Sequence, residues 1–319
     1  MIAVAGAYGK STTTAMVSKV LVGQGQDLTC EIGATVLEWK ANYRVGKSKY
    51  HVCEADEYND NFLNYRPDIA VILNVAWDHP DYFKTKDSVL ASYKKFIGNI
   101  KKDGYLVIGK DPKLIELSKF RKDIKIVKIE DFGRLSLSLI GDFRLENANA
   151  ALTVAKILKL DLELAKKSVK NFEGLGRRLE YKGEIQGVKI YDDYAVQPYT
   201  VLATTDALKE KFKDKKIVLV FEPHTFSRIK TFFDDFVKNL KAAKSDRIFI
   251  TEVYPAREKG NPKALAQKLA DEIGPKAIFT GSIEQTAVYL KRHLKDFGVV
   301  LSMGAGKSFQ LTDLLKENG

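Results

Sequence analysis

The chain has 319 residues, 45% of them hydrophobic and 29% charged, with a formal net charge of +11, which is enough for two domains with cores of ordinary size. No run approaches the ~18 apolar residues of a spanning helix, the N-terminus lacks the basic-then-apolar pattern of a secretory signal, and Cys30 and Cys53 form no C-x-x-C pair, so a membrane protein, a zinc ribbon and a disulfide scaffold are not expected, and a reducing cytoplasm is. The lysines are spread over helix-like segments and form no aromatic-laced stripe, so the positive charge points to small anionic partners and away from nucleic acid.

In chain order, short apolar β-branched runs alternate with amphipathic ones. Strands are predicted at Ile2–Ala5, Tyr50–Cys53, Ile69–Val75, Tyr105–Ile108, Ile124–Val127 and Leu135–Ile140, and helices at Ser11–Val22, Asp87–Ile100, Pro112–Lys119 and Glu146–Leu158. The stretch from Asn171 to Gly183 is Gly- and charge-rich and reads as a join. The pattern then restarts, with strands at Val188–Tyr191, Ile217–Phe221, Arg247–Thr251, Ala277–Phe279 and Val299–Ser302. Helices are predicted beside them at Pro198–Lys211, Ser227–Leu240, Pro262–Ile273, Ile283–His293 and Ser308–Glu317. Strand–helix alternation of this kind predicts an α/β fold with mostly parallel sheets. The expected division is 1–174 and 175–319.

The first strand runs into Gly6-x-x-Gly9-Lys10-Ser11, and Ser11 opens a helix. Glycines let backbone amides approach a polyphosphate, and the helix N-terminus adds positive potential. Lys10 is placed to reach the outer phosphates and Ser11 to hold Mg²⁺. The spacing is shorter than G-x-x-x-x-G-K-[ST], because Val4 stands where its first glycine would be. Two further strands end in candidate ligands: Glu54, Asp56 and Glu57 after one, Asn74, Asp78 and His79 after the other. Ligands collect at the carboxyl ends of parallel strands, and hard cations take carboxylate oxygens.

These residues resemble the Mur ligase family, the ATP-dependent amide-forming enzymes of cell-wall precursor synthesis. "AVAGAYGKSTTT" is similar to the family's ATP loop, and "EADEYNDNFLNYRPDIAVILNVAWDHPDYF" to the branch that attaches the first alanine to UDP-N-acetylmuramate. "GLGRRLE", "DDYAVQP", "FEPHTFSR", "EVYPARE" and "GAG" follow in that branch's order. The resemblance implies a central P-loop-type ATPase domain followed by a smaller Rossmann-like domain. It implies ATP and Mg²⁺ as cofactors, and as substrates a UDP-sugar acid or related carboxylate and an amino acid, joined through an acyl phosphate.

Carried over by motif, Gly6, Gly9, Lys10, Ser11 and Thr12 bind the phosphates. Ser11 and Glu54 hold one Mg²⁺, and His79 serves a second. Asn147, in "GDFRLENANAA", faces adenine. Arg178 and Asp193 complete the ATP site on domain closure, and His224 and Arg228 hold the acidic substrate or the amino acid. Lys94 and Lys95 are the positions open to a bridging carbamylated lysine, with a solvated helix face as the alternative.

The sequence departs from the family's pattern in three places. Val196 and Gln197 replace paired histidines, Phe143 and Arg144 replace a His-Asn pair, and the sequence opens at the ATP loop's own strand, without the UDP-binding domain that precedes it in the branch. A trimmed sequence, a naturally short relative, and a partner chain supplying that domain all stay open. So do the peptide-recycling ligase of the family, a two-domain ligase with another acceptor, and a nucleotide-binding module without turnover.

Overall fold

Four-residue apolar runs without polar alternation suit strands covered on both faces. The computed structural model, which describes residues 1–317, places them that way in two units, Met1–Leu175 and a second beginning at Gly176. The first unit runs β1 (Ile2–Ala5), α1 (Lys10–Gly23), β2 (Thr29–Val36), β3 (Ala41–Arg44), β4 (His51–Glu54), a 3-10 segment at Tyr58–Asn64, and β5 (Ile69–Ile72). It continues with α2 (Lys86–Gly98), β6 (Tyr105–Ile108), α3 (Pro112–Ser118), β7 (Lys125–Lys128), α4 (Phe143–Ile157) and α5 (Leu162–Lys170). The sheet order is β3-β2-β4-β1-β5-β6-β7, parallel except for the β2–β3 pair.

The two faces of β1 enter different cores. Ile2 and Val4 join the cluster built with α1, α4 and α5, whereas Ala3 and Ala5 join the one built with α2 and Phe62. Because β1 lies between β4 and β5, with Val4 opposite Glu54 and Ala5 opposite Ile72, three strand ends open side by side. That register puts the glycine loop between the two acidic segments.

The second unit runs β8 (Arg178–Ile185), β9 (Val188–Asp193), α6 (Pro198–Lys211), β10 (Ile217–Phe221), α7 (Phe226–Thr231), α8 (Phe233–Ala242) and β11 (Arg247–Thr251). It ends with α9 (Pro262–Ile273), β12 (Ala277–Gly281), α10 (Ile283–His293), β13 (Val299–Met303) and α11 (Leu311–Lys316). Its sheet order is β12-β11-β10-β13-β9-β8, with only the β8–β9 pair antiparallel. One face packs on α10 and α11 through Val218, Val220, Val300, Ile283 and Leu311. Here Met303 lies opposite both Asp193 and Phe221, so the ends of β9, β10 and β13 meet.

Several sequence expectations are corrected. Leu135–Ile140 alternates like a strand but joins no ladder: Leu135, Leu137 and Leu139 pack on the first core, while the Ser138 hydroxyl donates to the Phe172 carbonyl. The strand expected to reach Val75 stops at Ile72, since the Asn74 side chain is committed to the glycine loop. β2, β3 and α5 had no counterpart in the sequence reading; β2 and β3 are an edge hairpin with a mixed buried and exposed pattern. The join was read as irregular through Gly183, but from Arg178 it is the edge strand β8. Ser227–Leu240 is two helices, because Phe232 leaves helical geometry at φ −112° and ψ 26°. Ser308–Glu317 begins as a 3-10 turn before α11.

Candidate active site

Two glycines shape the loop between β1 and α1. Gly6 (φ 143°) and Gly9 (φ 83°) lie in the region that side chains avoid. A Cβ on Gly9 would stand 2.7 Å from Asn147 Oδ1 and 3.0 Å from Leu73 Cδ1. Asn74 braces the loop from both sides: the Tyr8 amide donates to its Oδ1 at 3.2 Å, and its Nδ2 donates to the Tyr8 carbonyl at 3.0 Å. The first turn of α1 carries no acidic residue, so nothing there opposes an anion at the helix N-terminus.

Lys10 enters α1 with its ammonium 2.7 Å from Glu57 Oε2 and 3.6 Å from Asp56 Oδ1. Burial works against its charge, but Glu57, Asp56 and Glu54 outweigh it and hold the lysine above its ordinary range. Glu57 is itself raised, by burial first, with Lys10 pulling the other way. The next side chain, Ser11, donates to Glu54 Oε1 at 3.1 Å, and the Gly33 amide donates to Glu54 Oε2 at 2.6 Å.

The side chains expected to hold cations fall into two groups. Ser11 sits with Glu54, whereas His79 sits with Asp56 and Glu57, one ligand atom of each lying within 4.8 Å of the others. His79 adopts φ 52°, its amide donates to Asp78 Oδ1 at 2.7 Å, and its ring lies 4.7 Å from that of Tyr58. The sequence marks Asp56 and Glu57, with Glu54, as candidate ligands at a strand end, without a role for either; here they stand beside Lys10 and His79. The signal that singles them out is where they stand: β4 ends at Glu54 and the chain then turns into the 3-10 segment.

Helix α4 supports the loop from behind. Arg144 Nη1 donates to the Thr12 hydroxyl at 2.8 Å, and the Thr13 hydroxyl donates to Asn147 Oδ1 at 3.2 Å. Asn147, expected to face adenine, is thus buried against α1, while the Phe143 ring is partly exposed at the start of the same helix with the Arg144 guanidinium 5.0 Å from its centroid. Lys94 and Lys95 are exposed on α2, Lys94 over the Phe120 ring.

In the second unit Arg178 and Asp193 are partners in the β8–β9 ladder. The Arg178 guanidinium lies over Tyr194, and Asp193 Oδ1 accepts from the Ala195 amide at 2.7 Å. The neighbouring pair is tied to the segment after β13: Arg177 Nε donates to Asp192 Oδ2 at 3.1 Å, and its Nη2 donates to the Gly304 carbonyl at 2.6 Å and to Ser308 Oγ at 3.0 Å. Val196 and Gln197 follow, Gln197 buried just before α6. On α7, Arg228 is buried with Nη1 2.8 Å from His224 Nδ1, and the His224 ring stacks on Tyr254. Glu222, at the end of β10, accepts from the amides of Gly306, Lys307 and Ser308.

Asp192 carries a pH consequence. Burial lifts its carboxyl to about 6, against the pull of Arg177. Below about pH 4 it is protonated in the folded and unfolded chain alike, and the folded state keeps its full advantage. As pH rises through 6 that advantage, about 3 kcal/mol, is lost. Calorimetric unfolding is expected to weaken over that window, and Asp192→Asn to remove this part of the slope; a wild-type slope retained in the variant would refute the assignment.

Residues 4–133 match the Mur ligase middle domain and residues 177–306 the Mur ligase glutamate ligase domain. The UDP-N-acetylmuramate–L-alanine ligase of Caldanaerobacter subterraneus subsp. tengcongensis is 36% identical over 350 residues, covering 99% of this chain and 75% of that protein. The chain belongs to the Mur ligase family. This Mur ligase therefore comes from a family of ATP-dependent amide ligases of peptidoglycan synthesis. Its fold is also that of the UDP-N-acetylmuramate–alanine ligase from Thermotoga maritima, with a TM-score of 0.76 at 22% identity over 99% of this chain and 74% of that one. A folylpolyglutamate synthase from Mycobacterium tuberculosis, solved with ADP, gives 0.77 at 15% identity over 99% and 90%. Among the described residues, no helix of the Mur ligase is long and apolar enough to cross a membrane.

Proposed function

We propose that this Mur ligase joins UDP-N-acetylmuramate, or a closely related UDP-sugar acid, to L-alanine through an acyl phosphate, in the cytoplasm. The observation that carries the reading is the glycine loop with Lys10 held by Glu57 and Asp56, in a chain 36% identical to an enzyme named for those substrates. Lys10 exchanges its carboxylate partners for the outer phosphates of ATP. That exchange frees Asp56 and Glu57 to join His79 around a cation.

The donor set suits Mg²⁺: the carboxylates of Asp56 and Glu57 lie together with His79, and the Ser11 hydroxyl, next in the chain after Lys10, is paired with the Glu54 carboxylate. When bound, Mg²⁺ neutralises charge on the transferring phosphoryl group. Gly6 and Gly9 let the backbone approach the phosphates, Thr12 follows them in the first turn of α1, and Asn147 braces that turn through Thr13. Residues 1–174 are assigned as the central ATP-binding part and 175–319 as the C-terminal part. In the latter, Arg178 and Asp193 are assigned to the nucleotide, and His224 and Arg228 to carboxylate recognition; a guanidinium grips a carboxylate with two parallel hydrogen bonds. The chain spans 75% of the length of the Caldanaerobacter relative, and the UDP end of the acceptor is assigned to a region outside these two units, a further segment or a partner chain.

Phosphate release from Mg²⁺-ATP tests this, with the acid and the amine left out in turn. Release that needs both is the expected result. Release indifferent to either substrate would exclude a coupled ligase. ATP binding without release, even with a UDP-binding domain added in trans, would favour a nucleotide-binding module, the reading that Val196 and Gln197 support.

A further inference from the structure

One side chain beside the carboxylate cluster is unused by the mechanism above. Tyr93 lies on the inner face of α2, fully buried, with its ring edge-on to Phe62 at 5.2 Å. Its neighbour Ser92 is committed to Asp60, and Phe96 is stacked on Phe62. The Tyr93 hydroxyl alone in this group has no hydrogen-bond partner among the described residues. Its surroundings are the site itself: the charges of Glu57, Asp56 and Asp78 act on it, and the Gly6 backbone approaches its oxygen without completing a bond. Burial first, and then those carboxylates, raise the phenol well above its ordinary range, so it remains a proton donor.

A buried donor without an acceptor is unfavourable and rare in native proteins, and it calls for an explanation. Phenylalanine would fill the same volume without that cost. Tyr93 belongs to the buried cluster that holds Ala5 and Ala55, the residues directly before Gly6 and Asp56, and that place beside the glycine loop and the acidic segment supplies one.

We infer that Tyr93 is a positioning residue whose hydroxyl donates to an oxygen arriving with the ligand, either a nucleotide phosphate oxygen or a water held by the divalent cation. Both sources offer the same chemistry, a polarised oxygen that accepts one hydrogen bond. The inference rests on reading Gly6–Lys10 as the ATP loop and Asp56, Glu57 and His79 as cation ligands.

Tyr93→Phe removes one oxygen and leaves the ring packing intact. Two readouts are expected to move in opposite directions. Unfolding of the ligand-free chain should occur at or above the wild-type midpoint, because the stranded hydroxyl is gone. Binding of Mg²⁺-ATP, measured by titration calorimetry, should weaken about tenfold. Titrations with ATP in EDTA and with Mn²⁺ alone separate the sources. A loss in the first assigns the hydroxyl to phosphate; a loss in the second, with ATP in EDTA unaffected, assigns it to the cation's water. Unchanged affinity in all three titrations overturns the inference and makes Tyr93 an unsatisfied core residue. A wild-type chain that binds none of the three probes overturns the reading of the site and this inference with it, so the two failures are distinguishable.

Discussion

Lys10→Met is expected to lower ATP-dependent phosphate release by about a hundredfold to a thousandfold, the usual loss when a preorganised charge is removed from a phosphoryl-transfer site. The same change should cost stability. Glu57 is buried and its oxygen lies 2.7 Å from the Lys10 ammonium, so losing the lysine leaves a buried carboxyl unpaired, at about 3 kcal/mol. The two effects can be separated. In Lys10→Met/Glu57→Gln no buried charge is stranded, and stability should recover while turnover does not. Both tryptophans, Trp39 and Trp77, lie in the first unit, so their fluorescence in urea reports the unit that carries Lys10. Turnover within tenfold of wild type in the single variant would remove Lys10 from the phosphate site.

Glu222→Ala should be the most damaging change in the second unit. The Glu222 side chain gathers three backbone amides of the segment after β13: Gly306 at 2.8 Å, Lys307 at 2.8 Å and Ser308 at 3.2 Å. Removing it strands donors that are largely buried, an expected loss of about 3–5 kcal/mol. Glu222→Gln keeps one acceptor oxygen and should lose less. Hydrogen exchange locates the effect: the amides of residues 306–308 should lose protection before those of β10. Protection unchanged in Glu222→Ala would mean that other contacts hold the segment, such as those of Arg177 with Gly304 and Ser308.

The elements that were legible in the sequence have local causes. Helices α3, α6 and α9 each begin at a proline, whose fixed φ suits a first turn, and their starts were read at Pro112, Pro198 and Pro262. Helix α10 is framed by a capping box between Ser282 and Gln285. Central strands such as Ile217–Phe221 are continuous apolar runs because both faces are covered. The strands β2, β3 and β8 had no such signal, whereas the edge strands β7 and β12 were read near their places. β2, β3 and β8 mix exposed and buried residues and exist because a distant strand offers a ladder. Leu135–Ile140 has the apolar alternation of a strand and no neighbour to pair with.

The same division runs through the site. The sequence by itself determined the glycine loop and the lysine that follows it, since that geometry comes from consecutive residues: positive-φ glycines, a helix start and a lysine at its first position. It also determined that acidic residues and a histidine would stand at strand ends. Only the tertiary structure decided the partners. Glu57 meets Lys10 across 47 positions, Arg144 reaches Thr12 across 132, and Asn147 meets Thr13 across 134. His79 can meet Asp56 and Glu57 because β1 lies between β4 and β5, so that the segments after both strands open beside the loop. Strand order is a long-range choice among pairings of similar local energy, settled by which arrangement buries the helices and matches the charges, and no short stretch of this sequence encodes it.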